Sequence, residues 1–160
     1  MTQRTVVQSL AGATLAISAN LPLTYDAAGY ADTDLVFTEV GEIENYGNHG
    51  VVANITEFTP VDTAVVTKLK GSKNYGTMNL VIGHVPSDAG QVILATASES
   101  NLHYSAKITY PLGDGEVTPE IHYLDVMVAS REFQDGSVND VRKAAVALAL
   151  CRRPVEVAAT

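Results

Sequence analysis

Two long β-like segments near the C-terminus, Pro119–Phe133 and Val138–Leu150, constrain this chain more than any other feature. Each far exceeds the average strand of about five or six residues. They are joined by Gln134-Asp135-Gly136-Ser137, whose Asp-Gly pair suits a tight hairpin turn with positive φ at both central positions. Such a hairpin makes an arm roughly 40 Å long. One small domain has difficulty covering it, and the backbone edges and second apolar face left over are most simply met by further copies of the same chain.

At 160 residues the chain is long enough to fold as one domain, burying roughly two-thirds of its unfolded surface. Twelve Gly and six Pro separate runs rich in Val, Ile, Thr and Tyr, which points to a mainly β fold with many turns. The formal charge of −8, with only ten Lys and Arg and no cluster of them, argues against a groove that grips nucleic-acid phosphate. Cys151 is the only cysteine, so neither an intrachain disulfide nor a zinc site built on several thiolates is available. Arg4 followed by Leu10–Ile17 has a faint signal-peptide look, but Gly12 and Thr14 interrupt the apolar stretch. The region reads instead as a flexible N-terminal arm, residues 1–12, leading into a first strand near Ala13–Ala19. No segment approaches the length of a membrane-spanning helix, and no membrane partner is expected.

Asn20–Thr33 reads as a loop. Leu35–Glu44 alternates as a strand, Asn45–Gly50 as a turn-rich loop and Val51–Thr56 as a short strand. Pro60 opens a strand over Val61–Leu69, which Lys70-Gly71-Ser72-Lys73-Asn74 ends with turn chemistry. Tyr75–His84 is a further strand. At Pro86-Ser87-Asp88 the period changes: Asp88 can cap a helix with Gln91 three residues on, and Ala89, Val92, Ile93 and Thr96/Ala97 share helical spacing, giving one helix over about 88–100. Leu102–Tyr110 returns to strand alternation before the long hairpin, and Arg152-Arg153-Pro154 stops the hairpin ahead of a C-terminal tail, 154–160. In the second arm Val146, Leu148 and Leu150 alternate with Ala145, Ala147 and Ala149; in the first, Leu124, Val126 and Val128 oppose Tyr123, Asp125 and Met127. A sheet packed on a core on one side and on a neighbouring subunit on the other reads this way, as does a wholly buried central hairpin.

Catalytic signatures are weak. His49, His84, His103 and His122 lack metal-ligand spacing, and no metal or cofactor is expected. There is no Gly-x-Ser-x-Gly elbow, Lys70-Gly71-Ser72 lacks the upstream glycine of a phosphate loop, and Asn54-Ile55-Thr56 is a sequon too short to weigh. Glu39, Glu42, Glu44 and Asp125 could pair as catalytic carboxylates, but solvated strand faces carry such residues more often.

With catalysis weak and self-assembly favoured, the middle of the chain decides. Phe37-Thr38-Glu39-Val40-Gly41-Glu42-Ile43-Glu44, Ile55-Thr56-Glu57-Phe58-Thr59-Pro60-Val61, Thr67-Lys68-Leu69-Lys70-Gly71-Ser72, Asn74-Tyr75-Gly76-Thr77-Met78 and Asp88-Ala89-Gly90-Gln91 come in sequence. Together they resemble the major tail tube proteins of bacteriophages with long, non-contractile tails, over roughly Leu35 to Leu150. The resemblance implies a single tail-tube domain over 1–160, a β-sandwich or barrel-like fold with one flanking helix and no enzymatic activity. It also implies hexameric rings stacked into a tube in the virion tail, made in the host cytoplasm. Tail tip and terminator proteins would be its partners, and the tape-measure protein and the DNA would pass through the lumen without specific binding.

In that family four strands per subunit enter a continuous inner barrel; roughly 24 strands about 4.8 Å apart, tilted about 40°, give a circle roughly 48 Å across, wide enough for duplex DNA after side chains are allowed for. An acidic lumen repels phosphate and lets DNA slide. Glu39, Glu42 and Asp125 are the candidates to face it. The loops carrying Asn45, Tyr46, Asn48 and His49, and Ser72, Lys73, Asn74 and Tyr75, are the candidate ring interface, with both termini beside them. The hairpin should then lie in the sheet lining the bore, with its outer edge unpaired in an isolated subunit. A monomeric β-sandwich binding or virion decoration module is the alternative; exposed aromatics grouped on one face would favour it, and Tyr25, Tyr30 and Tyr46 are the tyrosines placed in loops.

Overall fold

The computed structural model describes residues 7–160, so the first half of the expected N-terminal arm lies outside the described residues. Strand alternation builds most of the fold. In chain order the elements are β1 (Thr14–Ser18), α1 (Ala27–Tyr30), β2 (Thr38–Val40), β3 (Ile43–Asn45), β4 (Val52–Phe58), β5 (Thr67–Asn74), β6 (Thr77–Gly83), α2 (Ala89–Ser98), β7 (Tyr104–Thr109), β8 (Ile121–Gln134), β9 (Lys143–Leu150) and β10 (Val155–Val157). One antiparallel sheet runs β2-β1-β7-β8-β9-β6-β3, with β10 beside β8, while β4 and β5 form a two-stranded sheet of their own. The edge strands β2 and β3 are consecutive in the chain, separated only by Gly41 and Glu42, so the large sheet must curl until its two edges meet. The expected mainly β, barrel-like sandwich with a flanking helix is what forms.

The inward face is set by the two-residue period. Met78, Leu80 and Ile82 of β6 stand opposite Leu148, Val146 and Ala144 of β9, and Leu15 and Ile17 of β1 stand opposite Ile108 and Ala106 of β7. With Leu124, Val126 and Val128 of β8 and Leu94 and Ala97 of α2 they form one core, nearly all of it sealed from water. The bulky and small faces of β9 read from sequence are thus its inner and outer faces. Of the two readings of the two-faced apolar pattern of β8, burial within the chain is the one its first part fits, not cover by a neighbouring subunit. Tyr123 on its outer side packs into a second, smaller core with Tyr30, Leu35, Phe37, Ile121, Val155 and Val157. The covering therefore comes from the chain's own α1 and β10, and Tyr30 lies stacked on Tyr123 with ring centroids 5.0 Å apart instead of sitting in an open loop.

Several boundaries differ from the sequence-based expectation, each for a local reason. Leu35–Glu44 is broken into β2 and β3 because Glu42 takes φ 58° at the sheet corner. Val61–Val66 is not strand but part of a turn, with Ala64 at φ 49° and Ala64 N–H bonded to Pro60 O at 2.9 Å. Gly71 and Ser72 lie inside β5, where the register with β4 slips between Ala53 and Ile55; the glycine marks a bulge, not a strand end. The second long segment starts as a strand only at Lys143, and the link from β8 is a loop over 135–142 in place of the tight Asp-Gly turn. There the Asp140 carboxylate accepts the Ser137 N–H at 2.6 Å, an interaction that holds its pKa below the ordinary value. The C-terminal tail is not free, since β10 pairs with Ile121–Tyr123 and Thr160 bonds Thr118.

Helix α2 forms where the period changes, with the Asp88 carboxylate accepting the Gln91 N–H at 2.8 Å as the N-cap. Its buried face is Gly90, Gln91, Leu94 and Ala97, one step round from the face read from sequence, and Val92 is half exposed. The reason is Gln91. Buried at 2% exposure, it accepts the Val85 N–H at 3.0 Å and donates from Nε2 to Gly83 O at 2.8 Å and Gly41 O at 3.3 Å. Asp88 also accepts the Gly41 N–H at 3.2 Å. The approach is so close that a Cβ on Gly90 would fall 2.7 Å from Val40 Cα. Replacing Gln91 with Ala leaves two carbonyls and one N–H without their partner in a buried corner, so Gln91→Ala should cost about 2–4 kcal/mol in urea unfolding. A loss below about 0.5 kcal/mol would mean that water substitutes for the amide there.

Candidate assembly surface

The β4–β5 hairpin is the least covered part of the described chain. Every residue of β5 is exposed and all of β4 but Ala53. None of residues 51–74 belongs to either core. Its ladder puts Thr56 opposite Leu69 and Phe58 opposite Thr67 on one face, and Ile55 opposite Lys70 and Glu57 opposite Lys68 on the other. The second face is held by a Glu57–Lys68 ion pair at 3.5 Å, well exposed and worth little. The first presents Phe58 at 59% and Leu69 at 54% exposure, and the tip adds Val61, Val65 and Val66. An isolated two-stranded hairpin is marginal in water, and one with an apolar face and tip needs something to lie against.

Of the ring-interface candidates, Ser72, Lys73 and Asn74 fall on this arm as exposed strand residues, not in a loop. Asn45 ends β3 and is exposed, as is Asn48. Tyr46 and Tyr75 pack against the main core, and the Tyr46 hydroxyl donates to Ala13 O at 2.7 Å. Burial, then Glu39 nearby, raises the Tyr46 pKa and keeps the hydroxyl protonated as that donor. His49 is half buried with Nε2 2.9 Å from His122 Nδ1. Burial first, and His122 second, push its pKa below the ordinary imidazole value. Sequence spacing gave no sign of this pair, since the two rings lie 73 residues apart.

The lumen candidates divide. Glu39 on β2 and Glu42 at the corner are exposed, but Asp125 is not a surface residue: it retains 1% exposure. Its Oδ1 lies 3.0 Å from His103 Nδ1 and its Oδ2 accepts from Arg152 Nε at 3.0 Å. The Arg152 guanidinium in turn stacks 3.9 Å over the Tyr25 ring. Asp125 is therefore a structural anchor between β8 and the turn after β9, buried because it is paired. His103, Asp125 and Cys151 offer ligand atoms within 4.8 Å of one another. The Arg152 cation already on Asp125 speaks against a metal ion there.

The long hairpin is also placed otherwise than anticipated. β8 and β9 sit mid-sheet, with β6 along all of β9 up to Ala149 and β7 along β8 only from Ile121 to Val126. Beyond Val126, β8 has β9 on one side and, among the described residues, no strand on the other. The open edge is therefore the distal half of β8, not the outside of the hairpin as a whole. A bulge at Ala129, between Val128 and Ser130, twists it.

No family model matches the chain, and no curated protein matches it. Solved structures do. The SPP1 tail tube aligns over 90% of this chain and 75% of its own, at 15% identity and TM-score 0.62. A chain of the anti-feeding prophage baseplate aligns over 98% and 97%, at 11% identity and TM-score 0.69. A chain of the sheath/tube terminator of an extracellular contractile injection system aligns over 96% and 99%, at 9% identity and TM-score 0.68. The chain has the tail-tube fold.

Asp125→Ala removes the acceptor of two side-chain donors, but the half-exposed Arg152 it releases is rehydrated, so the expected loss is about 1–3 kcal/mol by denaturant titration. Asp125→Lys would place a cation against Arg152 in a sealed site and should not fold to a stable protein; a soluble Lys variant with wild-type stability would return Asp125 to the surface.

Proposed function

We propose that this chain is a non-enzymatic structural subunit of a phage-type tail tube, assembling as hexameric rings that stack into a hollow conduit in the virion tail. The observation that carries the reading is the unpartnered β4–β5 arm on a body whose fold matches a baseplate chain and a terminator chain almost end to end and the SPP1 tail tube over 90% of this chain. A compact domain that seals two cores of its own gains nothing from an exposed apolar arm unless the arm has a neighbour to lie on. The arm, with Asn45 and Asn48 near its root, then reaches an adjacent copy or ring. Tail tip and terminator proteins would meet the same surfaces at the ends of the tube.

The acidic balance suits a conduit, because a wall bearing net negative charge does not adsorb phosphate and lets DNA and a tape-measure protein pass without specific binding. Glu39 and Glu42 are the proposed contributors to that wall. If they line it, tubes carrying Glu39→Lys and Glu42→Lys should retain duplex DNA at low salt in co-sedimentation; retention equal to wild type would place both away from the bore.

Assembly is tested by sedimentation and negative-stain microscopy of the purified chain at rising concentration, with tubes or six-fold rings expected. Replacing residues 53–73 by a short Gly-Ser linker should leave the body folded, since the arm joins neither core, and abolish the assemblies. A wild-type protein that stays monomeric throughout, with or without added tail-tip complex, would favour the binding or decoration module instead.

A further inference from the structure

The loop that leads into the arm is tied down at one place by three donor atoms from three different parts of the chain. His49 Nε2 and His122 Nδ1 lie 2.9 Å apart, and the Tyr110 hydroxyl oxygen lies 3.5 Å from the first and 3.4 Å from the second. His49 precedes β4, Tyr110 follows β7, and His122 is the second residue of β8.

Three donors around one point at such spacing are what a tetrahedral ion requires. With metal–nitrogen bonds of about 2.0–2.1 Å, the vertices of a tetrahedron stand about 3.3 Å apart. The three observed separations bracket that value. The neighbouring atoms also suit a ligand set. The other ring nitrogen of His122, Nε2, is 2.8 Å from Glu120 Oε1, the carboxylate–histidine arrangement that fixes the tautomer and leaves Nδ1 with its lone pair toward the other two donors. Glu156 of β10, paired in register with His122, adds a second negative charge beside His49. Among the described residues no Lys or Arg bonds any of the three donors, in contrast to Asp125, which Arg152 already holds.

We propose that His49, His122 and Tyr110 form a mononuclear site for a borderline divalent transition-metal ion such as zinc, with a fourth position open to water. Without the ion, the His49 ring proton sits between the two imidazoles and Tyr110 keeps its hydroxyl proton; on binding, the His49 proton moves to Nδ1, one neutral tautomer replacing the other, and the Tyr110 proton is released to bulk water as its oxygen takes up the ion. The ion would fasten the root of the β4–β5 arm to the large sheet. This does not depend on the tube reading, and a monomer would show it equally.

The test is calorimetric titration of zinc into EDTA-dialysed full-length protein, with cobalt(II) absorption as a second readout. One equivalent should bind, with tetrahedral cobalt bands, and the thermal midpoint should rise with zinc. His49→Gln and His122→Gln should each weaken binding at least about a hundredfold, and Glu120→Gln about tenfold to a hundredfold. His103→Gln should leave it unchanged. If a histidine variant fails to fold, X-ray absorption of the wild-type zinc complex decides, with two imidazole nitrogens at about 2.0–2.1 Å expected. Absence of saturable binding by the wild type, binding undiminished in a folded His49→Gln/His122→Gln double variant, or a zinc shell without two imidazoles would each overturn the proposal.

Discussion

The buried side chain of Gln91 is the interaction on which the rest of the architecture depends. A sheet ordered β2-β1-β7-β8-β9-β6-β3 becomes a closed body only if its two end strands are brought together, and the chain does that in the two residues Gly41 and Glu42. A corner that tight leaves backbone groups pointing inward. The Gln91 amide and the Asp88 carboxylate satisfy them, tying Gly41, Gly83 and Val85 to the first turn of α2, while Gly83 N–H bonds Glu42 O at 2.7 Å. The helix is thus less a cover over the core than a clasp on the barrel's seam. Its N-terminal sequence, Asp-Ala-Gly-Gln, has each residue for a reason: the cap, the small residue, the glycine that lets β2 approach, and the amide.

The parts that give stability and the surface proposed for assembly are separated in this molecule. The clasp, the main core and the smaller Tyr30–Tyr123 core all belong to the body, and the β4–β5 arm contributes to none of them. A body built this way holds its shape on its own, and the apolar face of Phe58 and Leu69 is left free for the proposed assembly. Ordering a marginal hairpin against a neighbour costs conformational entropy at that step. The cost weakens a first contact and is more readily met where a partner surface is already fixed.

Sequence alone carried the fold class, the helix and its cap, and the alternation of β1, β6, β7 and β9, because those rest on local periods. It misplaced what depends on long-range pairing. Gly71-Ser72 has the chemistry of a turn and becomes a bulge only because β4 lies opposite. Val61–Val66 alternates well enough for a strand yet is a tip, since nothing pairs with it among the described residues. Asp125 looked like a wall charge because an acidic residue on a strand is ordinarily solvated; its burial requires His103 and Arg152, neither of which is near it in sequence. The His49–His122 contact was invisible for the same reason.

The length of β8 has more than one cause. Its first third is flanked by β7 and β10 and its last part by β9, so much of the length serves partners inside the same chain. What remains is the open side from Met127 to Gln134. Among the described residues the other open edges of the body, on β2, β3, β10 and the Thr77–Leu80 stretch of β6 that β3 does not reach, are too short to template a long ladder. If copies of this chain join edge to edge into one continuous sheet, the described residues therefore leave two places for it: the distal side of β8, and the arm. The bulge at Ala129 twists the first and the exposed valines of the tip crowd the second, so a partner strand must match a twisted edge in one case and an apolar tip in the other. Both demands are met most simply by a copy presenting the same twist and the same apolar surface.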